Sequence, residues 1–465
     1  MTSSWILIAG CGVVTALPIV TRAVQRRLDP FEPVVLFSLA WAVMFVLRPS
    51  VMIADGSFGF WGVDLRGTLP LALFLGLVGA VAFVCAYELR AGASLARRLP
   101  TPGELDTRAT AVSAIVVAVV GLVFFVVLLP ASDPRESLHL VLGGRDEALG
   151  EVLADSSTYV FYASWALVPA SLVLAGLAFR ARRKVYWILA CAVLGVALLR
   201  TVPLGSRMAL LPLLGGLLVL WYVLEGRRPS IRSVALLALA GVCLSYVMVV
   251  VRDPERRGDL SGEVHRVVER PHAILYPLTG GEDAEMVPAL AGALTAIPDE
   301  LGYRFGAATF GDLVTRPIPR ELWAGKPLPA REQVVQHVWP EFYPGLNPTF
   351  TPMLAFYRDL SVAGVVIGMA LLGVAARVLY AWFLARFDSF AAQLLFAATV
   401  WFTVIAIRND PVDTVVFALF LVVPVIAIVA VSGDTGRLAN ALRRAPSEPD
   451  HARPARSATR DTAPL

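Results

Sequence analysis

Apolar stretches of about 20 residues, the length that crosses a bilayer core as a helix, recur along the whole 465-residue chain. The pattern predicts eleven membrane-spanning helices, near 4–21, 31–48, 68–88, 109–130, 158–179, 185–202, 208–224, 233–251, 360–383, 389–407 and 412–432. The sixth and seventh are short and are joined by a tight turn at Gly205-Ser206-Arg207. A transmembrane β-barrel is excluded, because its segments would be shorter and would alternate apolar with polar positions. The expected fold class is an all-α polytopic membrane protein. The first span carries no small-residue cleavage signature and is read as retained.

Basic residues in short loops set the orientation of such a chain. Arginines follow the first, third, fifth, seventh and ninth spans, at Arg22, Arg90, Arg180, Arg227 and Arg386 among others, and the end of the chain is Arg-rich. Every odd span therefore ends in the cytoplasm, which puts the N-terminus outside and the C-terminus inside. The chain then divides into helices 1–8 over 1–251, an extracytoplasmic cap over 252–359 and helices 9–11 over 360–434. A Pro-, Ala- and Arg-rich cytoplasmic tail over 435–465 has no apolar periodicity and is expected to be disordered.

The 252–359 segment breaks the rule of short loops, and a connection that long inside a compact protein is usually functional or disordered. It holds Tyr276, Tyr303, Phe305, Phe310, Trp323, Trp339, Phe342 and Tyr343, enough aromatic surface to fold. Glu285–Leu301 reads as a short amphipathic helix broken by prolines, and Arg331–Val338 as another. Both are expected to lie as interfacial helices over the outer mouth of the bundle. Within the segment stands RPIPRELWAGKP, Arg316 to Pro327, with three cationic side chains and three prolines. A second outward loop, 131–157, is acidic.

Composition adds little to this picture and removes several classes. Hydrophobic residues make up 57% of the chain and the mean hydropathy is +0.69. The net charge of +4 is accounted for by the topogenic loops, so no nucleic-acid partner is implied. Cys11, Cys85, Cys191 and Cys243 all fall inside spans, which leaves no disulfide framework in the outward loops. No His/Cys spacing suited to a metal is present, and no cofactor is expected.

Arginines stand at the outward ends of five spans, where positive charge should be sparse: Arg200, Arg207, Arg252, Arg358 and Arg408. Snorkelling to lipid phosphate explains any one of them. Together with Arg320 and Lys326 they also suit a bound anion, because guanidinium grips phosphate in bidentate fashion and keeps its charge. Arg207, Arg252, Arg320 and Arg408 are expected to share one depth and form one phosphate-binding cluster. The same cations would stabilise a departing pyrophosphate. Candidate bases for a sugar hydroxyl are Asp253, Asp359 and His337, with Asp312 and Asp410 among the other carboxylates near the arginines. Each carboxylate could equally be a salt-bridge partner.

The segment PIPRELWAGKP, followed by YPGLNPTFTPMLAFYRDLSVAGVVIGMALLG, resembles the outer loop and next helix of the oligosaccharide repeat-unit polymerases, the O-antigen polymerase (Wzy) family. The matching positions are Pro319, Arg320, Leu322, Trp323, Lys326 and Pro327, then Tyr357, Gly364 and Gly368. Gly205-Ser206-Arg207 is similar to a Gly-x-Arg at a helix end of that family. The resemblance covers roughly 200–410. It departs at Ala355, where relatives often carry a carboxylate, and at Ser361, where they often carry glycine.

It implies a GT-C-like membrane enzyme and metal-independent glycosyl transfer outside the bacterial cytoplasmic membrane. A glycan on undecaprenyl pyrophosphate would move onto the next lipid-linked repeat unit. Arg207, Arg252, Arg320, Lys326, Arg358 and Arg408 would bind pyrophosphate, with Trp323 and Tyr357 as a sugar or lipid platform. Implied partners are the lipid-linked donor and acceptor, membrane lipids, a chain-length regulator and a flippase. Alternatives remain. A glycan ligase would use an outward histidine such as His337. A polyprenyl-phosphate-sugar transferase would need a paired acidic motif where this chain has only the separated Asp55 and Asp64. A transporter would need charge buried mid-span.

Overall fold

The computed structural model describes residues 2–128, 158–201, 207–226, 231–252, 259–270, 274–279, 284–318, 322–323, 325–343 and 348–444. Each of the eleven apolar stretches coincides with a helix. Nine described helices are long and apolar enough to cross a membrane. They are α1 (Thr2–Val24), α2 (Pro33–Ala54), α3 (Leu69–Glu88), α5 (Thr107–Val127), α6 (Val160–Ala181), α7 (Lys184–Thr201), α14 (Pro352–Leu384), α15 (Phe390–Arg408) and α16 (Pro411–Gly433). Between them run α4 (Arg90–Arg98), the shorter apolar α8 (Leu211–Glu225) and α9 (Ile231–Arg252). The long segment between α9 and α14 adds α10 (Leu260–Glu269), α11 (Met286–Ala293), α12 (Ala307–Gly311 running into Asp312–Thr315) and α13 (Ala330–Val338). The last helix continues to Arg444, inside the stretch that composition assigns to a disordered tail.

The most extensive helix pairing is α3 with α14. It depends on small residues: a Cβ at Gly373 would stand 2.3 Å from the Phe83 carbonyl oxygen. Helices approach this closely in a bilayer because lipid is as apolar as leucine, so packing rather than hydrophobicity joins them. Beside this pair, Phe37 stacks on Phe83 and on Trp41, and Trp41 on Phe45. A second core gathers α5, α6, α8, α15 and α16 around Phe383 and Phe396, whose rings stack at 3.9 Å.

The arginine-rich end is tied by side chains. Arg22 bridges Glu32 and Glu88, and Arg386 donates to Thr101 at 3.1 Å. The opposite end carries the cap. There a two-residue hairpin, Gly59–Phe60 with Val63–Asp64, brings Phe60 and Trp61 edge-on to Trp339.

Two expectations about the cap change. The first concerns α11, which is not amphipathic. Its sequence MVPALAGA is apolar all round, and all eight residues are buried. A helix without a polar face belongs in a core, and α11 packs against α3 and Trp339 rather than lying at an interface. The second concerns α14, which begins at Pro352, inside the segment read as loop. Its helix breaks at Leu360 (φ −140°, ψ 30°) and Ser361 (φ 57°, ψ −145°). The arm 352–359 folds back, so that a Cβ at Gly364 would lie 2.0 Å from the Phe356 carbonyl oxygen and one at Gly368 would meet the Phe356 ring. The stretch beyond the break matches the apolar span expected over 360–383.

Candidate active site

Two adjoining polar networks occupy the end of the bundle opposite the arginine-rich loops. The first is built on the break in α14. Asp359 is buried. Its Oδ1 accepts the N–H groups of Gly306 at 2.9 Å and Ala308 at 2.8 Å, and its Oδ2 accepts that of Thr309 at 3.1 Å. These are the unpaired N–H groups at the start of α12, where a carboxylate is favoured by hydrogen bonding and by the helix dipole. Arg304 and Phe305 donate their own N–H groups to the carbonyls of Arg358 and Asp359. The loop needs this grip, because Phe305 and Gly306 are consecutive left-handed residues (φ 50° and 96°) and phenylalanine adopts that region only at a cost.

Arg358 points the other way. Its Nη1 donates to the Ala330 carbonyl at 2.5 Å and its Nη2 to Gln333 Oε1 at 2.7 Å. Arg304 donates to the same Gln333 oxygen at 2.9 Å. Arg358 is buried, so both Arg358 and Asp359 brace the cap.

The second network meets the first at Ala330, whose N–H is donated to Asp312 Oδ2 at 2.5 Å. It lines a small cleft with Arg316, Lys326, Arg331, Asp312, Asp410 and Asp413. Asp410 is the N-cap of α16, accepting the Val412 N–H at 2.8 Å with Pro411 in the first helical position. Asp413 follows one turn later, pairing with Arg331 and standing 3.6 Å from Arg316. Lys326 reaches back to the carbonyls of Ile318 at 2.8 Å and Arg316 at 3.5 Å, closing the proline-rich loop on itself.

Charge in this cleft is unevenly held. Burial pushes the Asp410 carboxyl up to about 6, Asp413 reinforces the shift, and the Val412 N–H and Arg331 oppose it. Burial also raises Asp312, against the pull of the Ala330 N–H and Arg304. The Asp413 carboxylate holds Arg331 more firmly protonated. A carboxyl whose proton affinity approaches neutrality, set beside three cations, is suited to take a proton from a hydroxyl while the cations face an anion. Among the described residues, no group of three His, Cys, Asp or Glu side chains is placed to hold a metal ion.

The expected site residues divide accordingly. Lys326 lies in the cleft, and Arg408 closes α15 two residues before Asp410. Arg207 opens a helix and Arg252 ends α9, with only their backbones described. Arg320 and Asp253 lie outside the described residues. Trp323 is half-exposed, whereas Tyr357 is buried against Tyr303 and offers no platform. His337 pairs with Glu300 and does not line the cleft. Arg200 is buried with its guanidinium 4.5 Å above the Phe161 ring and its Nε bonded to Ser164.

Sequence reasoning missed Arg331 and Asp413. Their partnership crosses 82 positions, although Asp410-Pro411-Val412-Asp413 before an apolar run is a readable helix start. No family model, curated protein or solved structure matches the chain.

Proposed function

We propose that the protein is a glycosyltransferase that joins oligosaccharide repeat units carried on undecaprenyl pyrophosphate, at the outer face of the bacterial cytoplasmic membrane. The observation that carries this reading is the cleft at the mouth of a membrane bundle. It combines a carboxyl of raised proton affinity, Asp410, with Arg316, Lys326 and Arg331. The likeness of 317–327 and 343–373 to repeat-unit polymerases supports it, and Lys326 is one of the matching positions.

In this reaction Asp410 accepts the proton of the acceptor sugar hydroxyl. The hydroxyl oxygen forms a bond to the anomeric carbon of the donor, and the bond from that carbon to pyrophosphate breaks. The leaving pyrophosphate takes the electron pair and meets the three cations, whose fixed position lowers the barrier without reorganisation. Asp413 holds Arg331 in place.

The test is the size profile of lipid-linked glycans in cells that lack the gene, complemented by wild type or by Asp410→Asn. Single repeat units on the lipid, lengthened by wild type and not by the variant, are expected. Long chains that persist on the lipid without the gene would replace polymerisation with transfer to a final acceptor.

A further inference from the structure

Helix α12 turns a polar contact inward and large apolar side chains outward. On α12 the buried positions are Ala308 and Asp312, and Asp312 reaches across to Ala330. The exposed positions are Phe310 and Val314, one helical turn apart on the same face. Phe305, Phe310, Val314 and Leu322 are between 68 and 80% exposed, in a segment that also carries the half-exposed Trp323. Single exposed apolar residues are ordinary on a water-facing surface, but four large ones this exposed in one short stretch are not.

The patch is not isolated. The Phe305 N–H bonds the Asp359 carbonyl, which places Phe305 beside Leu360 at the break in α14. Leu360 is itself exposed, and the membrane-spanning part of α14 beyond it exposes Ile367 and Leu371. Beyond the break, positions 367 and 371 share a helical face. The outer patch therefore adjoins, through Phe305 and Leu360, the end of a span that exposes Ile367 and Leu371.

We propose that α12, with Phe305 before it and Leu322 and Trp323 after it, forms a wedge seated in the acyl-chain region of the outer leaflet, with bilayer lipid as its occupant. The Asp359 clamp on the left-handed Phe305-Gly306 pair aims the wedge away from the cap and into the membrane. Its opposite face, with Asp312, lines the charged cleft, so the cleft sits at the level of the lipid headgroups.

The experiment uses the full chain with Cys11, Cys85, Cys191 and Cys243 replaced by alanine, in lipid nanodiscs. Nitroxide labels are attached at Phe310→Cys, Val314→Cys and, as an independent probe, Leu322→Cys, with Glu341→Cys as the water-facing control. Collisions with molecular oxygen, which concentrates in hydrocarbon, are compared with collisions with a water-soluble nickel chelate. Oxygen dominating at 310, 314 and 322, and the chelate at 341, is the expected result. Chelate access at the three wedge positions overturns the proposal. So does strong dipolar broadening between labels with neither relaxant reaching them, which means a second copy covers the patch. Shielding from the chelate that appears only after a long-chain prenyl phosphate is added also overturns it, and makes the patch a groove for the substrate tail.

Discussion

Both oxygens of Asp359 accept backbone N–H groups, and an asparagine at that position would turn one acceptor into a donor aimed at another donor. Asp359→Asn is therefore expected to lower thermal stability by about 1–3 kcal/mol, the cost of an unsatisfied buried group. A variant with unchanged melting but no turnover would make Asp359 a reacting group instead. For Arg331 and Asp413, each single neutralisation is expected to cost about 1–3 kcal/mol, between the values for exposed and fully buried pairs. The double variant should recover part of that loss, which a thermal double-mutant cycle reads directly. Asp410 gives a pH signature. Its carboxyl titrates higher folded than unfolded, about 6 against an ordinary 3.8. The folded state thus binds more protons between those values, and this group's contribution to stability falls as pH rises from about 4 to about 6. Asp410→Asn should flatten that slope. The rate of glycan extension in the wild type should rise through the same upper value as the base ionises.

The glycines of α14 act at the level of the element. Gly364 and Gly368 leave the space into which Phe356 folds back. Gly364→Ala is expected to reduce the yield of heat-resistant, monodisperse protein sharply. Gly195→Ala on α7, where a Cβ meets nothing within 4 Å, should be neutral or mildly stabilising. Equal outcomes for the two would mean that the fold-back does not constrain the arm. The hydrophobic pattern made the spans legible, including where the ninth starts beyond Leu360, because period and length are local properties of the chain. It did not reveal the arm 352–359. Tyr357, Arg358 and Asp359 look polar and loop-like until Gln333, Ala330 and the 304–309 loop are brought to them. The burial of α11 was readable in MVPALAGA, but Glu285 and the prolines pointed to an interface. Lys326 was legible as a cation of the outer segment. That it closes its own loop was not, since this depends on two carbonyls placed by the turn.

Across the whole molecule, one end is knitted by arginine pairs between loops and the other by a cap whose two faces serve different surroundings. The cap's charged face and its apolar wedge are opposite sides of one short helix, so the seating of the wedge sets the depth of the cleft without altering the pairs inside it. Phe310→Asp should leave the ion pairs of Arg331 untouched yet lower extension of lipid-linked glycans, a loss read by the same size profile and absent for Glu341→Gln.

The position of the Arg358-Asp359 pair in the chain also fixes an order of events during synthesis. The loops these residues hold, 304–309 and 330–333, emerge from the ribosome earlier and must wait for them. Domains form as their contacts become available to the growing chain, so the cap cannot close until the ninth span has begun to enter the membrane. A nascent chain stalled with residues only to Thr351 delivered should leave 304–333 open to protease. One delivered past Leu384 should protect it, which makes insertion of a hydrophobic helix the step that completes an extramembrane fold.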